Sequence, residues 1–523
     1  MNLFAMAHRA SALARRIPTS FLALVVPAVT AAASYYLTLA PGVVGYDSAE
    51  LVTGSYTLGI VHPTGYPLYL LLGKLFTYLP FRSVAFRVNL LSAVLAVSSI
   101  LLLCRLIYTL TGSILASWTG GLFLTVAHTF WQMGTVAEVY TLHTALLGLM
   151  LLMAMWWGES PSPRRLYMLA FVFGLSLTNH VSSVFLLPMI LWFVWRKLGL
   201  RESFKLLPGA AIAFILGLSP YLYFPIRFTA DPPLNYVRTY YDIDLTTPGG
   251  IWWMVSGQAY RFFAFGYDLS HYLLELKNAF LLFAQNYTVV GLMIGALGIP
   301  MLVRRDRRLA MLLLSLFVVH VAFFSGYAVI DKDTMFLPAL YLWALFIGMG
   351  AWGLRQWIRQ FDWFSYRERR VLGTSAAAAV FSVIVLTGSV HWSWADKSNA
   401  YGPEIFARRV LSTVPQDSMI IGRWSTAVIL EYYQHVEGYR PDLVIFNRSR
   451  YEVAAYYHYW KDGVPYNDAL TQILQAEEGL LRILGDQRTL FDAEYDPYFA
   501  RTYEYEPVGN LFKMVLKSST NDF

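Results

Sequence analysis

Two carboxylates stand three positions apart in the segment Tyr46–Glu50, just after the first long apolar stretch of the chain. If a helix begins at Asp47, then Asp47 and Glu50 share one face of its first turn, near the positive end of the helix dipole. A carboxylate held there can act as a general base when an acceptor hydroxyl comes within hydrogen-bond reach. Asp47 can equally do no more than cap the helix. The residue types and their spacing leave both interpretations open.

A second motif follows closely, with His62 and Tyr66 set in a run rich in proline and glycine. Such a run predicts a turn. The apolar piece after it, 66–81, is too short to cross a hydrocarbon core of about 30 Å. We therefore expect an interfacial or re-entrant helix at the membrane surface, with His62 and Tyr66 among the substrate-binding residues.

Further polar residues stand where predicted spans begin or break. An ionisable side chain at membrane depth is costly and usually faces a cavity. Hydration at the interface would also explain an acidic residue there, and a histidine can simply satisfy a helix turn. These candidate substrate-binding residues are Glu138, Tyr140, His143, Asn179 and His180.

The composition identifies the class of protein that must position these residues. Of the 523 residues, 57% are hydrophobic and 14% are charged, whereas a soluble domain is about a quarter charged. The chain is therefore expected to be a polytopic membrane protein. We predict spans near 20–40, 86–110, 114–130, 138–157, 206–225, 279–302, 309–329, 336–356 and 371–391, and two short helices within 166–195, broken at Thr178–His180.

The basic residues predict the orientation of these spans. They cluster in segments that all fall on one side if 166–195 is split and the chain crosses eleven times. The N-terminus is then expected to be cytoplasmic and the C-terminus extracytoplasmic. The net charge of +7 is loop charge of this kind and does not indicate nucleic-acid binding. A signal peptide is the alternative for the first apolar stretch, but its length favours an uncleaved span. The basic clusters on the predicted cytoplasmic side include Arg9, Arg15 and Arg16 near the N-terminus and the run Arg304–Arg308.

The chain divides into a membrane domain, 1–395, and a C-terminal domain, 396–523, with ordinary charge content. Patterns in the second part predict a strand at 418–422, a helix at 427–436 and a strand at 442–446, an order typical of a small α/β domain. The predicted fold class is mainly α, polytopic transmembrane, with a small extracytoplasmic α/β domain. We expect Asn447–Ser449 to be ordinary solvated surface, and the single cysteine, Cys104, to serve packing.

The pattern YDSAELVTGSYTLGIVHPTGYPLY, at 46–69, resembles the signature loop of a bacterial membrane family known as a domain of unknown function. An animal relative of that family is a protein O-mannosyltransferase, and both resemble the GT-C superfamily of glycosyltransferases. The likeness continues, more weakly, through FRVNLLSAV, WQMGTVAEVYTLH, GLSLTNH, YLYFPIR and GYAVIDKDTMFLP, in the expected order along nearly the whole chain.

The resemblance implies an inverting enzyme that transfers a hexose, with mannose expected, from a polyprenyl-phosphate donor. Because the family is bacterial, the resemblance also implies a location in the bacterial inner membrane. Its acceptor would be a hydroxyl on a protein, lipid or glycan outside the cytoplasm. Asp47 would be the base, with Glu50 as the alternative base or as a group that orients a hydroxyl. Cations near the membrane surface must stabilise the leaving phosphate. The candidates for that role are His62, Arg227, Arg261 and Lys332.

No cofactor is required by this mechanism, although Asp331 and Asp333 are spaced like a metal-binding D-x-D motif, which leaves a divalent metal as an alternative. Arg227 can also be an interfacial arginine whose charged end reaches water. A transporter or lipid flippase is the rival function. The polar clusters all map to one side of the membrane, and the spans lack the paired broken helices of inverted repeats, which favours an enzyme.

Overall fold

The computed structural model describes residues 18–329, 331–360 and 363–517. Arg9, Arg15 and Arg16, on which part of the orientation argument rests, lie outside the described residues. The described chain consists mostly of helices, followed by one small sheet near the C-terminus.

The membrane part is a bundle of apolar helices, several of which are long enough to cross a bilayer at 1.5 Å per residue. Short 3-10 segments at 181–185, 219–222, 258–263 and 332–336 join some of them. The helices are α1 (Thr19–Leu37), α2 (Asp47–Thr57), α3 (Pro67–Thr77), α4 (Val84–Thr111), α5 (Ile114–Val126), α6 (His128–Met133), α7 (Tyr140–Glu159), α8 (Pro163–Leu177), α9 (Leu186–Leu198), α10 (Leu200–Gly217), α11 (Tyr223–Ala230), α12 (Pro248–Val255), α13 (Leu269–Arg305), α14 (Arg307–Ser325), α15 (Leu337–Arg359) and α16 (Tyr366–Ala395).

Within the described ranges, eight helices are long and apolar enough to span a membrane, or nine if the bent pair α10 and α11 is one span. The predicted break in 166–195 is present, because α8 ends at Leu177 and the next helical segment begins at Val181. The sequence predicts eleven crossings; α5 and α8, with 13 and 15 residues, are shorter than an ordinary span and account for the difference. The count of eleven stays a prediction.

The C-terminal part contains a five-stranded sheet of order β2-β1-β3-β5-β4. Its first three strands are parallel, and the predicted strand–helix–strand order is confirmed, with β1 and β2 paired in parallel around an intervening helix. All four residues of β1 are buried, as expected where helices cover both faces. The elements are α17 (Gly402–Thr413), β1 (Met419–Gly422), α18 (Trp424–His435), β2 (Val444–Asn447), α19 (Arg448–Lys461), α20 (Tyr466–Gly485), β3 (Leu490–Asp492), β4 (Tyr503–Val508) and β5 (Leu511–Leu516).

The C-terminal sheet domain docks onto the loop between α1 and α3. Helix α18 packs along α2, and the contact is close, since a Cβ added to Gly45 would lie 3.2 Å from the carbonyl oxygen of Ser425. Tyr46 stacks edge-on against Trp424, with ring centroids 5.5 Å apart. The carboxyl ends of the parallel strands β1 and β2 therefore face the segment that begins at Asp47.

Candidate active site

Helix α2 begins at Asp47, so the condition for the two carboxylates to share one face holds, and both Asp47 and Glu50 lie in its first turn. The residue before it, Tyr46, has a φ of 65° and so turns the chain sharply into the helix. No side chain caps this helix. The alternative in which Asp47 serves only as a cap therefore finds no support in the structure.

Glu50 is fully buried, and both of its carboxylate oxygens are occupied. Oε1 accepts hydrogen bonds from the backbone N–H of His62 and from its Nδ1, each at 2.7 Å. Oε2 accepts one from a guanidinium nitrogen of Arg450 at 2.5 Å. Burial acts to raise the pKa of Glu50, but the charge of Arg450 and the bonds from His62 outweigh it and lower the pKa to about 2. Glu50 is thus held as a fixed anion.

Arg450 comes from the first turn of α19 in the C-terminal domain, 400 positions along the chain from Glu50. It is 5% exposed. It donates to the hydroxyl of Tyr260 at 3.0 Å and lies over the ring of Trp424, 4.6 Å from its centroid. A buried arginine with these contacts ties the membrane part and the C-terminal domain into one site.

The sequence argument missed Arg450, and its expectation for the neighbouring sequon is wrong. Asn447 and Arg448 are buried, at 0% and 2% exposed, instead of lying on solvated surface. Arg448 pairs with Glu477 at 2.6 Å in the domain interior. The available signal was position: these residues follow the second strand of a predicted parallel pair, and sites in such folds collect at the carboxyl ends of strands.

Asp47 differs from Glu50 in having an unoccupied oxygen. Its Oδ1 is buried without a hydrogen-bond partner among the described residues, and lies 3.5 Å from Nδ1 of His62 and 3.8 Å from Arg450. The side chain keeps 16% of its surface exposed, so a substrate can reach it. Burial raises its pKa to about 8, assisted by the charges of Glu138 and Glu50 and opposed by His62.

Glu138, like Asp47, has one carboxylate oxygen without a partner: its Oε2 is buried with no hydrogen-bond partner among the described residues. Burial, then the charges of Asp331 and Glu50, raise its pKa to about 8. Asp331 itself is exposed yet close enough to raise the pKa of Asp47 as well. The carboxyl groups of Asp47, Glu50 and Glu138 are thus close enough to influence one another, and they cannot all be ionised at low cost.

The predicted histidines and tyrosines form a continuous wall beside this region. Nε2 of His62 lies 3.1 Å from the hydroxyl of Tyr66, whose ring stacks on that of His180 at 6.3 Å. His143 stacks on the other side of His180 at 4.9 Å, and Tyr140 lies at 5.5 Å. The structure thus brings these five predicted residues together.

Asn179 is also buried next to this wall, where its amide nitrogen donates to the carbonyl of Val139 at 3.2 Å. Its side-chain oxygen has no hydrogen-bond partner among the described residues. A buried acceptor that is left open in this way can receive a hydroxyl of a bound sugar.

The three other predicted cations have different surroundings. Arg227 donates from Nε to the carbonyl of Leu58 at 2.8 Å and from a terminal nitrogen to that of Thr57 at 3.2 Å, so it binds the C-terminal end of α2. Lys332 pairs with Glu275 at 2.5 Å. Arg261 is exposed.

Two sets of residues have the donor chemistry of a metal site. Asp47, Glu50 and His62 each offer a ligand atom, and these atoms lie within 4.8 Å of one another. The guanidinium of Arg450, however, reaches the same atoms, at 2.5 Å from Glu50 and 3.1 Å from Nδ1 of His62. A metal ion would have to displace or repel that cation, so these three residues, as arranged here, do not fit one. Asp331 and Asp333 of the D-x-D motif are both exposed.

Comparison with known proteins agrees with the resemblance inferred from the sequence. Residues 47–202 match the family described as the N-terminal domain of protein O-mannosyl-transferase TMEM260. The mouse protein O-mannosyl-transferase TMEM260 is 28% identical over 459 residues, which cover 80% of this chain and 61% of that protein. The chain thus spans about three fifths of the length of this relative. The match begins at Asp47.

The fold resembles solved glycosyltransferases of the GT-C class, which confirms the predicted fold. ArnT from Cupriavidus metallidurans, solved with bound undecaprenyl phosphate, superposes with a TM-score of 0.56 at 11% identity, covering 95% of this chain and 98% of ArnT. The oligosaccharyltransferase AglB from Archaeoglobus fulgidus, solved with an inhibitory peptide and a dolichol-phosphate, gives 0.57 at 11% identity, covering 82% and 65%. The chain is accordingly an integral membrane protein of GT-C fold. Its predicted bacterial inner-membrane location stays a prediction.

Proposed function

We propose that this chain is a membrane glycosyltransferase that moves a sugar from a polyprenyl-phosphate donor to an acceptor hydroxyl at the membrane surface, with Asp47 as the general base. The observation that carries this proposal is the contrast within α2: Asp47 has a carboxylate oxygen without a hydrogen-bond partner among the described residues and a side chain that is 16% exposed, whereas both oxygens of Glu50 are bound. The match to O-mannosyltransferases from Asp47 onward, and the GT-C fold, support it.

The reaction is a single displacement at the anomeric carbon of the sugar. The acceptor oxygen forms the new bond to that carbon while the bond from the carbon to the phosphate oxygen breaks. The acceptor proton passes to Asp47, and polyprenyl phosphate leaves with the electron pair of the broken bond. The acceptor attacks from the face opposite the leaving phosphate, so the configuration inverts, and one base on that face suffices.

Asp47 suits the role of base better than Glu50. A carboxylate with a pKa of about 8 can accept a proton near neutral pH and release it afterwards. Glu50, with its pKa lowered to about 2, is a weak base whose lone pairs are already used. We assign to Glu50 a positioning role, in which it anchors His62 and Arg450 beside Asp47.

Cations must balance the charge on the leaving phosphate. Arg261 follows Tyr260, which receives a hydrogen bond from Arg450, and its guanidinium is exposed for a ligand. Lys332 lies next to Asp331 and is held by Glu275. We propose Arg261 and Lys332 as the phosphate-binding cations. Arg227 is left out, because its donors serve α2.

The name of a relative supports our proposal for the sugar and the acceptor. Mouse TMEM260 is described as a protein O-mannosyl-transferase, so we propose mannose as the sugar and a Ser or Thr hydroxyl of a protein as the acceptor. A lipid or glycan hydroxyl is the other acceptor class. We further propose that transfer needs no metal, because Arg450 already supplies positive charge at the three atoms that would bind one.

A transfer assay with purified protein tests these points. Polyprenyl-phosphate sugars, including the mannose form, are incubated with a Ser/Thr peptide library, a lipid extract or a glycan mixture as acceptor. Asp47→Asn should reduce turnover by about 100-fold or more, as expected for loss of a general base. Asp486→Asn, at an exposed position of the C-terminal domain, should be unchanged. Near wild-type turnover by Asp47→Asn would refute the assigned base. Loss of turnover on adding a chelator would refute the metal-free mechanism.

A further inference from the structure

A large cavity opens at the end of the spans opposite Asp47. Helix α15 begins at Leu337, near Asp331 and the candidate active site, and ends at Arg359 beside this cavity. The cavity has a volume of about 970 Å³, which is at the upper end of the range of ligand pockets, about 300–1,000 Å³. It lies between the end of α15, the start of α16 and the turn that joins α4 to α5.

Among the described residues that line the cavity, four are arginines and none is acidic. Arg355 and Arg359 stand one turn apart near the end of α15, and Arg369 and Arg370 lie in the first two turns of α16. Arg369 donates a hydrogen bond to the carbonyl of Arg359, so the two helix ends are joined here. The positive charges of Arg355, Arg359 and Arg370, brought together in this way, favour a bound anion.

The remaining walls are mostly apolar, with a few hydroxyl groups from Ser, Thr and Tyr side chains. Ile114, Trp118 and Val380 contribute hydrocarbon surface, and the hydroxyl of Tyr108 lies 2.7 Å from Oγ1 of Thr19 at the rim. Helix α16 is at the periphery of the bundle, since only 11% of its apolar window is buried within the protein. A cavity bounded by such a helix adjoins the lipid phase, and its basic residues lie at the depth of headgroups.

Scattered basic residues at a span end are explained by orientation alone, because they point to water and set topology. That explanation fits the run Arg304–Arg308 between α13 and α14, none of whose residues lines the cavity. It does not explain why four arginines from two helices converge on one amphipathic cavity. Basic pockets between membrane helices are suited to anionic lipid headgroups.

We propose that this cavity is a binding site for an anionic phospholipid, whose phosphate lies among Arg355, Arg359 and Arg370 and whose acyl chains follow the apolar walls. A lipid is favoured over a free anion because the cavity joins charge to hydrocarbon surface at the membrane boundary. The site lies at the opposite membrane end from Asp47 and is independent of the transfer reaction.

The test uses the purified full-length chain in detergent, titrated with phosphatidylglycerol or phosphatidylcholine, with bound lipid counted by native mass spectrometry. The triple variant Arg355→Gln, Arg359→Gln and Arg370→Gln should bind phosphatidylglycerol about 100-fold more weakly, at roughly fivefold for each arginine. Binding of phosphatidylcholine should not change. The matched control carries Arg304→Gln, Arg307→Gln and Arg308→Gln, which remove the same charge at exposed positions outside the cavity, and should bind like the wild type.

A second variant keeps every charge and fills the space instead. Gly373 lines the cavity, and a Cβ added there meets nothing within 4 Å, so Gly373→Phe should fold normally and still exclude the lipid. Equal loss of binding in the control triple would overturn the proposal, as would unchanged binding in both cavity variants. Displacement of the lipid by millimolar inorganic phosphate would show a free-anion site and would also overturn it.

Discussion

The contact of Arg450 with Glu50 provides the sharpest test of how the candidate active site is held together. Arg450→Gln removes the guanidinium but leaves a polar side chain in its place. Glu50, which is fully buried, then keeps its hydrogen bonds from His62 but loses its guanidinium partner. The stability of the folded chain should fall, because a buried carboxylate without its partner is strongly unfavourable.

The magnitude follows from the pKa of Glu50. A fall in the pKa of Glu50 from 4.5 to about 2 on folding corresponds to a stabilisation of the folded chain by about 3 kcal/mol, at 1.36 kcal/mol for each pKa unit. Because the pKa is lowered, this stabilisation is fully present above pH 4.5 and is lost as the pH falls through about 2. Measurements at pH 7 therefore report all of it. Breaking a buried pair by removing one partner costs about 3–5 kcal/mol, which agrees.

The assay is a double-mutant cycle on the free energy of unfolding. Arg450→Gln, Glu50→Gln and the double variant are titrated with denaturant in one fixed detergent, followed by tryptophan fluorescence. Each single variant should lose about 3 kcal/mol, and the double variant should lose no more than either, giving a coupling of about 3 kcal/mol.

The matched control is the exposed pair Arg408 and Glu404, which are 2.8 Å apart with 47% and 36% of their side chains exposed. Its coupling should be about 0.5 kcal/mol, because water screens exposed ion pairs. A coupling for Arg450 and Glu50 as small as that of the control pair would refute the reasoning. It would mean that the two domains are not joined through this contact.

Three further predictions follow from the same site. The kcat/KM of transfer should rise with pH and level off above about 8, because Asp47 accepts a proton only when ionised; a flat profile would contradict this. Glu138→Gln should move that rise to lower pH, because the charge of Glu138 raises the pKa of Asp47, and an unmoved profile would show that the two do not interact. Arg227→Met should lower the free energy of unfolding by about 2–3 kcal/mol through loss of its bonds to Leu58 and Thr57, with kcat retained at low temperature. A lost kcat in a normally stable Arg227→Met variant would instead indicate a substrate contact.

Several features of the chain are local, and its sequence was sufficient to predict them. Apolar runs long enough to span a bilayer are recognisable by length alone. The break at Thr178–His180 is visible as three polar residues inside one such run. The start of the helix at Asp47 is marked by two carboxylates three positions apart. The β1–α18–β2 order follows from alternating patterns of short apolar segments. Each of these signals lies within about 30 residues, where backbone geometry relates spacing directly to structure.

The choice between Asp47 and Glu50 could not be made in that way, because the same spacing places both on one face of α2. Only the tertiary structure separates them, by bringing Arg450 across from the C-terminal domain to occupy one carboxylate and leave the other open. The same holds for Arg227, which resembles a phosphate ligand in sequence and binds a helix end in the fold. Which charges meet depends on how distant segments pack, and burial then fixes their pKa values. Sequence thus determined that carboxylates stand at the membrane surface, and packing decided which of them is free to react.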